Sequence, residues 1–202
     1  MRYDAEHKER TRARVLEEAV RAIRADGPHK IGVAGVMARA GLTHGGFYAH
    51  FESKEDLVLA ALGEMFASAR GMFERRTAGL PPREALKAYV GFYLSRTHRD
   101  ARELGCPLPL MSSDLPRMSE EARAYFARGV TRLAGAIQGP LEQLGHPNAE
   151  ATAMSALSEM IGALSLARAV PDPAQSDAIL ASSRAAISER LGLNTPIEET
   201  DA

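Results

Sequence analysis

Apolar residues recur at helical spacing along almost the whole chain. Between residues 8 and 25 they fall at Val15, Leu16, Ala19, Val20 and Ile23, which is the stripe of an amphipathic helix. Similar stripes predict further helices over residues 33–40, 43–50, 54–77, 83–98, 119–144, 147–169 and 173–191. Glycine and proline interrupt the pattern between them. The sequence therefore predicts an all-α fold of about nine helices.

Two of the predicted helices are short and almost directly joined. Residues 33–40 and 43–50 are separated only by Gly41 and Leu42. Glycine adopts a positive φ easily and can turn the chain here, and Thr43 is a candidate N-cap for the second helix. This is the organisation of a helix-turn-helix, whose second helix enters the DNA major groove. Phe47 and Phe51 are expected to face the core.

The second short helix opens with His44, Gly45 and Gly46. A glycine inside a helix costs ~1 kcal/mol relative to alanine, so two in one turn require an explanation. One is close approach of the backbone to DNA, and the other is a poorly formed loop. Tyr48, His50 and Lys54 offer polar groups to phosphate oxygens, and Ser53 is a candidate cap for the next helix.

The run AGLTHGGFYAHFESKEDL, residues 40–57, resembles the DNA-binding signature of TetR-family transcriptional repressors, in which a Tyr-x-His-Phe run precedes Ser-Lys. The resemblance implies that Thr43, Gly45, Tyr48, His50 and Lys54 contact phosphates or bases. His44 and Gly46 fall where family members vary with operator sequence. Gly32 and Met37 depart from the Thr and Ala that many members carry. The full set of predicted DNA-binding residues is Thr43, His44, Gly45, Gly46, Tyr48, His50, Lys54, Val33, Arg10 and Arg14.

The same resemblance implies two domains and a mode of action. Residues 1–53 would form a helix-turn-helix DNA-binding domain, and residues 54–202 a ligand-binding and dimerisation domain. The expected partners are double-stranded operator DNA, a second copy of the chain and an unidentified small-molecule effector. A repressor of this kind would bind a pseudo-palindromic operator as a homodimer and be released by its effector.

The distribution of charge agrees with a DNA-binding end, although solvated helix faces can show the same. Residues 1–54 contain ten Lys and Arg against seven Asp and Glu, whereas the whole chain carries a net charge of −1. A basic end on an acidic body is expected where one end meets phosphate. No long apolar run predicts a membrane span, and no basic-then-apolar leader predicts a signal peptide. A cytoplasmic location is therefore expected.

The least regular stretch is ELGCPLPLMSSDLPRMSEE, residues 103–121. Its three prolines exclude a continuous helix, yet it is rich in apolar residues. Such a segment is expected to be buried against a ligand cavity or a partner subunit. With apolar residues of the neighbouring helices it gives a predicted pocket for an apolar effector, formed by Met65, Phe66, Phe92, Tyr93, Leu108, Leu110, Met111, Tyr125 and Phe126.

Cys106, the only cysteine, lies in this stretch. It is either a small buried apolar residue or a sensor thiol whose pKa a neighbour such as Arg99 or Arg102 lowers. A single cysteine excludes an internal disulfide.

The last two predicted helices are dense in small residues, which let helices approach closely. They are expected to form a four-helix dimer interface with a second copy, or to pack only within the chain. The predicted interface residues are Ala153, Leu157, Met160, Ile161, Leu164, Ala178, Ala181 and Ala185.

Catalysis is not predicted. The sequence contains no phosphate-binding Gly-Lys-Ser/Thr loop or G-x-G-x-x-G pattern, and its histidines lack the spacing of metal ligands. No cofactor and no metal are therefore expected. The alternative to a DNA-binding regulator is a helical protein-interaction module without specific DNA binding.

Overall fold

The computed structural model describes residues 2–102 and 105–194, with side chains from residue 6 onward. These residues form nine α-helices and two 3₁₀ helices, and the described part of the chain contains no strand. The all-α fold is therefore confirmed. The α-helices are α1 (Arg2–Asp26), α2 (Val33–Arg39), α3 (Lys54–Thr77), α4 (Pro82–Tyr93), α5 (Arg96–Asp100), α6 (Leu108–Met111), α7 (Glu120–Gln143), α8 (Ala149–Ala169) and α9 (Pro173–Arg190), and the 3₁₀ helices are His44–Ala49 and Leu115–Arg117.

Glycines form the turn before the helix-turn-helix and the predicted turn within it. Gly27 after α1 has φ 85° and Gly41 after α2 has φ 69°, values that L side chains rarely adopt. Main-chain N–H groups of Gly41 and Leu42 donate to the carbonyls of Ala38 and Met37, at 3.0 and 2.9 Å. These bonds close the end of α2 and direct the chain into the 3₁₀ helix.

One predicted helix was wrong. The stretch 83–98 is divided into α4 and α5, because Leu94 leaves the helical region with ψ 48°. Ser95 then starts a new helix, its hydroxyl accepting the His98 N–H at 3.1 Å. The N-cap bond stabilises the restart, although the apolar stripe continues across the break.

The chain divides into two packing units. The first contains residues 1–69 and 102–129, and the second residues 70–101 and 130–202. The core of the first unit is formed by α1, α2, the two 3₁₀ helices, the first half of α3, α6 and the start of α7. The predicted boundary after residue 53 concerns function rather than packing, and it stays a prediction.

In the second unit α8 and α9 pack against each other, with α4 against both and α5 against α8. A polar cluster fixes α5 at this junction. Arg99 donates to Ser176 Oγ at 2.8 Å and to Asp177 at 2.9 Å, and Arg168 donates to the carbonyl of His98 at 2.9 Å.

No helix in the described part of the chain is long and apolar enough to cross a membrane.

Candidate nucleic-acid interface

The 3₁₀ helix His44–Ala49 has one anchored face and one solvent face. Phe47 and Phe51 are 1% and 2% exposed, and their rings stack at 5.7 Å. Tyr48 packs edge-on against Phe47 at 5.3 Å but remains 69% exposed. Thr43 and His44 are also exposed. The inward orientation predicted for the two phenylalanines is confirmed, and the outer face is available to a partner.

Nothing inside the subunit requires the two glycines of this helix. A Cβ added at Gly45 would meet nothing within 4 Å, and one at Gly46 would make only ordinary contacts, the nearest with Met37 at 3.6 Å. The segment is hydrogen-bonded, with Gly46 N–H donating to the Thr43 carbonyl at 3.1 Å, which speaks against a poorly formed loop. Packing within the subunit therefore does not explain why glycines occupy positions 45 and 46.

Thr43 occupies the predicted N-cap position, but its hydroxyl makes no capping hydrogen bond. The predicted side-chain cap was therefore wrong: the 3₁₀ helix is closed by the main-chain carbonyl of Thr43 instead. The exposed hydroxyl remains available to a phosphate or a base. The cap predicted at Ser53 is confirmed, because its Oγ accepts the Asp56 N–H at 3.0 Å. Lys54 follows as the exposed first residue of α3.

A cluster of basic residues from α1 flanks the end of the 3₁₀ helix. The Arg12 guanidinium lies 4.7 Å from the centre of the Phe51 ring. Burial lowers the pKa of His50, and the charges of Lys8, Arg12 and His7 lower it further. His50 Nδ1 is buried and has no hydrogen-bond partner among the described residues. Burial and the neighbouring cations thus both favour the neutral form of the His50 imidazole in the free protein.

Lys8 and Arg12 were not among the predicted contacts. They lie in line with the buried face of α1, on the N-terminal side of its first apolar core residue. This helical spacing was the signal available in the sequence. Arg10 and Arg14 are exposed but lie roughly 200° around the helix axis from this pair. Their contact with DNA stays a prediction, as does that of Val33, which is half-buried at the start of α2.

The predicted effector-pocket residues come from both packing units. Met65, Phe66, Leu108, Leu110, Met111, Tyr125 and Phe126 belong to the first packing unit, and Phe92 and Tyr93 to the second. In the first unit Met65 and Met111 are core residues against which Phe66 and Phe126 pack. In the second, Phe92 lies between the Arg76 guanidinium at 3.9 Å and the His98 ring at 5.1 Å. Their role in ligand binding stays a prediction.

Cys106 is only 6% exposed. Of its two predicted cationic neighbours, Arg99 is held by Asp100 and Asp177, and the effect of Arg102 stays a prediction. Arg24 of α1 is a further cation that interacts with Cys106. Burial lowers the pKa of Arg24, and the negative charge of a Cys106 thiolate opposes that shift. The two residues are 82 positions apart in sequence, so local pattern gave no signal for the pair.

The predicted dimer residues divide into two sets. Ala153, Leu157, Met160 and Leu164 are buried within the subunit itself. Ile161 is half-buried, and Ala178, Ala181 and Ala185 are exposed on α9. The exposed face of α8 also carries Met154, Ser158, Gly162 and Leu166. These exposed and half-buried residues of the two helices are all uncharged, and we call this set the α8–α9 face.

Comparisons with known proteins agree with this organisation. Residues 15–61 match the family model described as bacterial regulatory proteins, tetR family. The chain is similar to YerO of Bacillus subtilis (strain 168), an uncharacterized HTH-type transcriptional regulator, with 29% identity over 119 residues. That match covers 56% of this chain but only 39% of YerO.

Solved structures share the fold. A TetR transcriptional regulator from Chloroflexus aurantiacus J-10-FL superposes with a TM-score of 0.80 at 22% identity, over 93% of this chain and 96% of that one. The reduced form of E. coli NemR gives a TM-score of 0.77 at 20% identity, over 89% and 95% of the two chains. The tetR family model thus covers the helix-turn-helix of this chain, and the solved structures share its fold over most of its length.

Proposed function

We propose that the chain is a homodimeric repressor of a pseudo-palindromic operator, released by a small apolar effector or by modification of Cys106. The observation that carries this proposal is the outer face of the 3₁₀ helix His44–Ala49, which is exposed and flanked by the basic residues Lys8 and Arg12. In a helix-turn-helix this face reads base edges, while the cations around it contact phosphates.

The proposed contacts follow from the exposed groups. Thr43, His44 and the Gly45 backbone would face base edges, because they begin the 3₁₀ helix and nothing in the subunit covers them. Tyr48 and Lys54 would reach the phosphates on one side, and Lys8 and Arg12 those on the other. Two copies in a symmetric dimer would present this face to half-sites separated by ~34 Å or somewhat more.

The α8–α9 face is the proposed dimer surface. It consists of small and apolar side chains with no charged residue among those that define it. Helix pairs with such smooth surfaces pack closely against a second copy. The buried members of the predicted set, such as Leu157 and Met160, would then support this surface from within the subunit.

Release would follow from a conformation of the ligand-binding and dimerisation domain that holds the two DNA-binding domains of the dimer at a spacing unsuited to the operator. By linkage, DNA must weaken effector binding by the same factor by which effector weakens DNA binding. Modification of Cys106 is the second proposed route, because it is the one cysteine of the chain and interacts with the cation Arg24. The added group would have to enter a nearly closed site, and thus disturb the first packing unit. The E. coli relative NemR is described in a reduced form, which supports testing a redox route here.

The test is a fluorescence-anisotropy titration with DNA from upstream of the protein's own gene, at several salt concentrations. Specific binding is expected to weaken as salt rises, because bound cations release counterions from DNA. Lys8→Gln and Arg12→Gln should each lower the slope of log K against log salt by about one. Arg132→Gln, at an exposed position of α7, is the matched control and should leave the slope unchanged. Absence of sequence-specific binding would contradict the proposal and favour a protein-interaction module.

The same titration with N-ethylmaleimide tests the thiol route. Treated wild-type protein should lose operator binding, and Cys106→Ser should retain it after treatment. Release of both proteins by the reagent would exclude Cys106 as the trigger. Retention by both would leave the apolar effector as the only proposed signal.

A further inference from the structure

The turn between α1 and α2, residues 27–32, is in contact with a carboxylate from a distant part of the chain. Asp114 Oδ2 lies 3.4 Å from His29 Nδ1. Both groups lie close to Gly27, because a Cβ added there would be 3.3 Å from Asp114 Oδ2 and 3.3 Å from the His29 ring. Within the part of the chain that the structure describes, no other side chain forms an ion pair with this turn. The missing side chain at Gly27 thus leaves room for the contact.

Asp114 is held in place by its own segment. Its neighbours Met111 and Leu115 are buried in the core of the first packing unit. The Asp114 N–H donates to the Met111 carbonyl at 3.1 Å, and the Asp114 carbonyl accepts the Arg117 N–H at 3.0 Å. The carboxylate makes no capping hydrogen bond to the 3₁₀ helix that follows it, and the exposed Arg117 guanidinium lies 3.7 Å from its other oxygen. These bonds and buried neighbours keep the carboxylate beside His29.

The turn leads directly into the helix-turn-helix. Ile31 is buried in the same core as Met111 and Leu115. Gly32, the residue before α2, has no side chain with which to cap that helix. The chain then passes from α2 into the 3₁₀ helix that carries the proposed DNA-binding face. The position of the turn therefore bears on the position of this face.

We propose that Asp114 is a positioning residue for operator binding, which holds the α1–α2 turn in the arrangement that binds DNA without touching DNA itself. The inference rests on the proposed function. A displacement of residues 111–118 would then weaken operator binding through the loss of this contact. Electrostatics alone predicts the opposite sign, because removal of a negative charge from a DNA-binding unit strengthens its attraction to phosphates.

The first test is amide hydrogen exchange in the absence of DNA. In Asp114→Ala the hydrogen-bonded amides of α2, from Val36 onward, should exchange about threefold faster, a modest effect suited to the loss of a partly exposed ion pair. The amides of α9 should be unchanged. Glu55→Ala is the matched control, since it removes an exposed carboxylate from the first turn of α3 in the same packing unit. Unchanged exchange in Asp114→Ala, or an equal change in both variants, would overturn the proposal.

The second test is the operator titration with the same variants. Asp114→Ala and His29→Ala should each weaken operator binding by about threefold to fivefold. The double variant should bind no more weakly than either single variant, because both substitutions remove one contact. Glu55→Ala should leave the affinity unchanged or raise it.

The outcomes separate this inference from the proposed function. Tighter operator binding by Asp114→Ala, or additive effects of Asp114→Ala and His29→Ala, would overturn the positioning role and leave the repressor standing. Failure of the wild-type protein to bind any operator would contradict the repressor, and hydrogen exchange would still decide whether Asp114 holds the turn.

Discussion

The tip of the Phe66 ring fills the space beside Gly129 in which any other residue would place its Cβ. Phe66 belongs to α3 and Gly129 to α7. A reciprocal pair lies nearby, where a Cβ at Gly63 of α3 would lie 2.7 Å from Tyr125 Oη of α7. Each helix thus carries a glycine against which an aromatic side chain of the other helix lies.

Replacement of Gly129 by alanine should destabilise the protein. The added methyl group would overlap the Phe66 ring, and overpacking of this kind costs about 1–3 kcal/mol. The control is Gly135→Ala in the same helix, where a Cβ meets nothing within 4 Å. It should instead stabilise by about 0.5–1 kcal/mol through helix propensity. Urea unfolding of both variants checks the prediction, and equal stability of the two would contradict it.

Substitution of Gly45 should separate DNA binding from folding. Gly45→Gln adds a side chain to an open position, so the melting temperature should change little. The same side chain would hold the backbone away from the groove, and operator affinity should fall by tenfold or more, about 1.4 kcal/mol. Gly135→Gln serves as the control. Undiminished affinity of Gly45→Gln would mean that DNA does not approach this position.

A charged side chain in the α8–α9 face should produce monomers. A Cβ at Gly162 meets nothing within 4 Å, so Gly162→Arg should not disturb the subunit. It would place an arginine in the centre of the proposed dimer surface, and an unpaired buried charge is strongly unfavourable. Analytical ultracentrifugation should show a dimer for the wild type and for Gly135→Arg, and a monomer for Gly162→Arg. A dimer in all three would place the interface elsewhere.

His98 should make stability depend on pH. Burial lowers its pKa to about 4, against 6.5 for an ordinary histidine, and its Nδ1–H donates to the Tyr93 carbonyl at 2.8 Å. The unfolded chain therefore binds a proton more readily than the folded one between these values. Stability should be lost as pH falls from 6.5 to 4, by about 3 kcal/mol at most. His98→Asn retains a donor for Tyr93 without the titration, so urea unfolding of this variant should show a weaker pH dependence.

Operator affinity should rise as pH falls if phosphates lie beside His50. Lys8 and Arg12 lower the pKa of His50 in the free protein, and phosphates that neutralise them would raise it in the complex. DNA binding would then take up a proton, and the dissociation constant should decrease as pH falls through the pKa of the complex. His50→Gln should abolish this dependence. An unchanged pH profile in this variant would show that the proton binds elsewhere.

The sequence correctly predicted features that depend on neighbouring residues, such as a glycine turn and a helix cap. Gly41 forms the predicted turn, and Ser53 caps the helix that follows it. The break at Leu94 was missed because side-chain periodicity reports which face is buried and says little about main-chain dihedrals. Ser95, a residue suited to an N-cap, was the available signal.

Contacts between residues that lie far apart in the sequence were the features that the sequence did not predict. The apolar stripe of α8 correctly marks Leu157 and Met160 as buried, but burial by the same chain and burial by a second copy give the same pattern. Arg24 and Cys106 interact across a long sequence separation, and nothing near either residue indicates the other.

The open space at Gly45 also bears on how such a regulator can change its target. Most mutations that alter a protein's activity must be tolerated by its fold, and marginal stability limits how many can accumulate. A Cβ at position 45 meets no atom of the subunit within 4 Å, so substitutions there are expected to change the free energy of unfolding little. New operator preferences can therefore evolve, or be selected in a library of variants, without compensating mutations in the core.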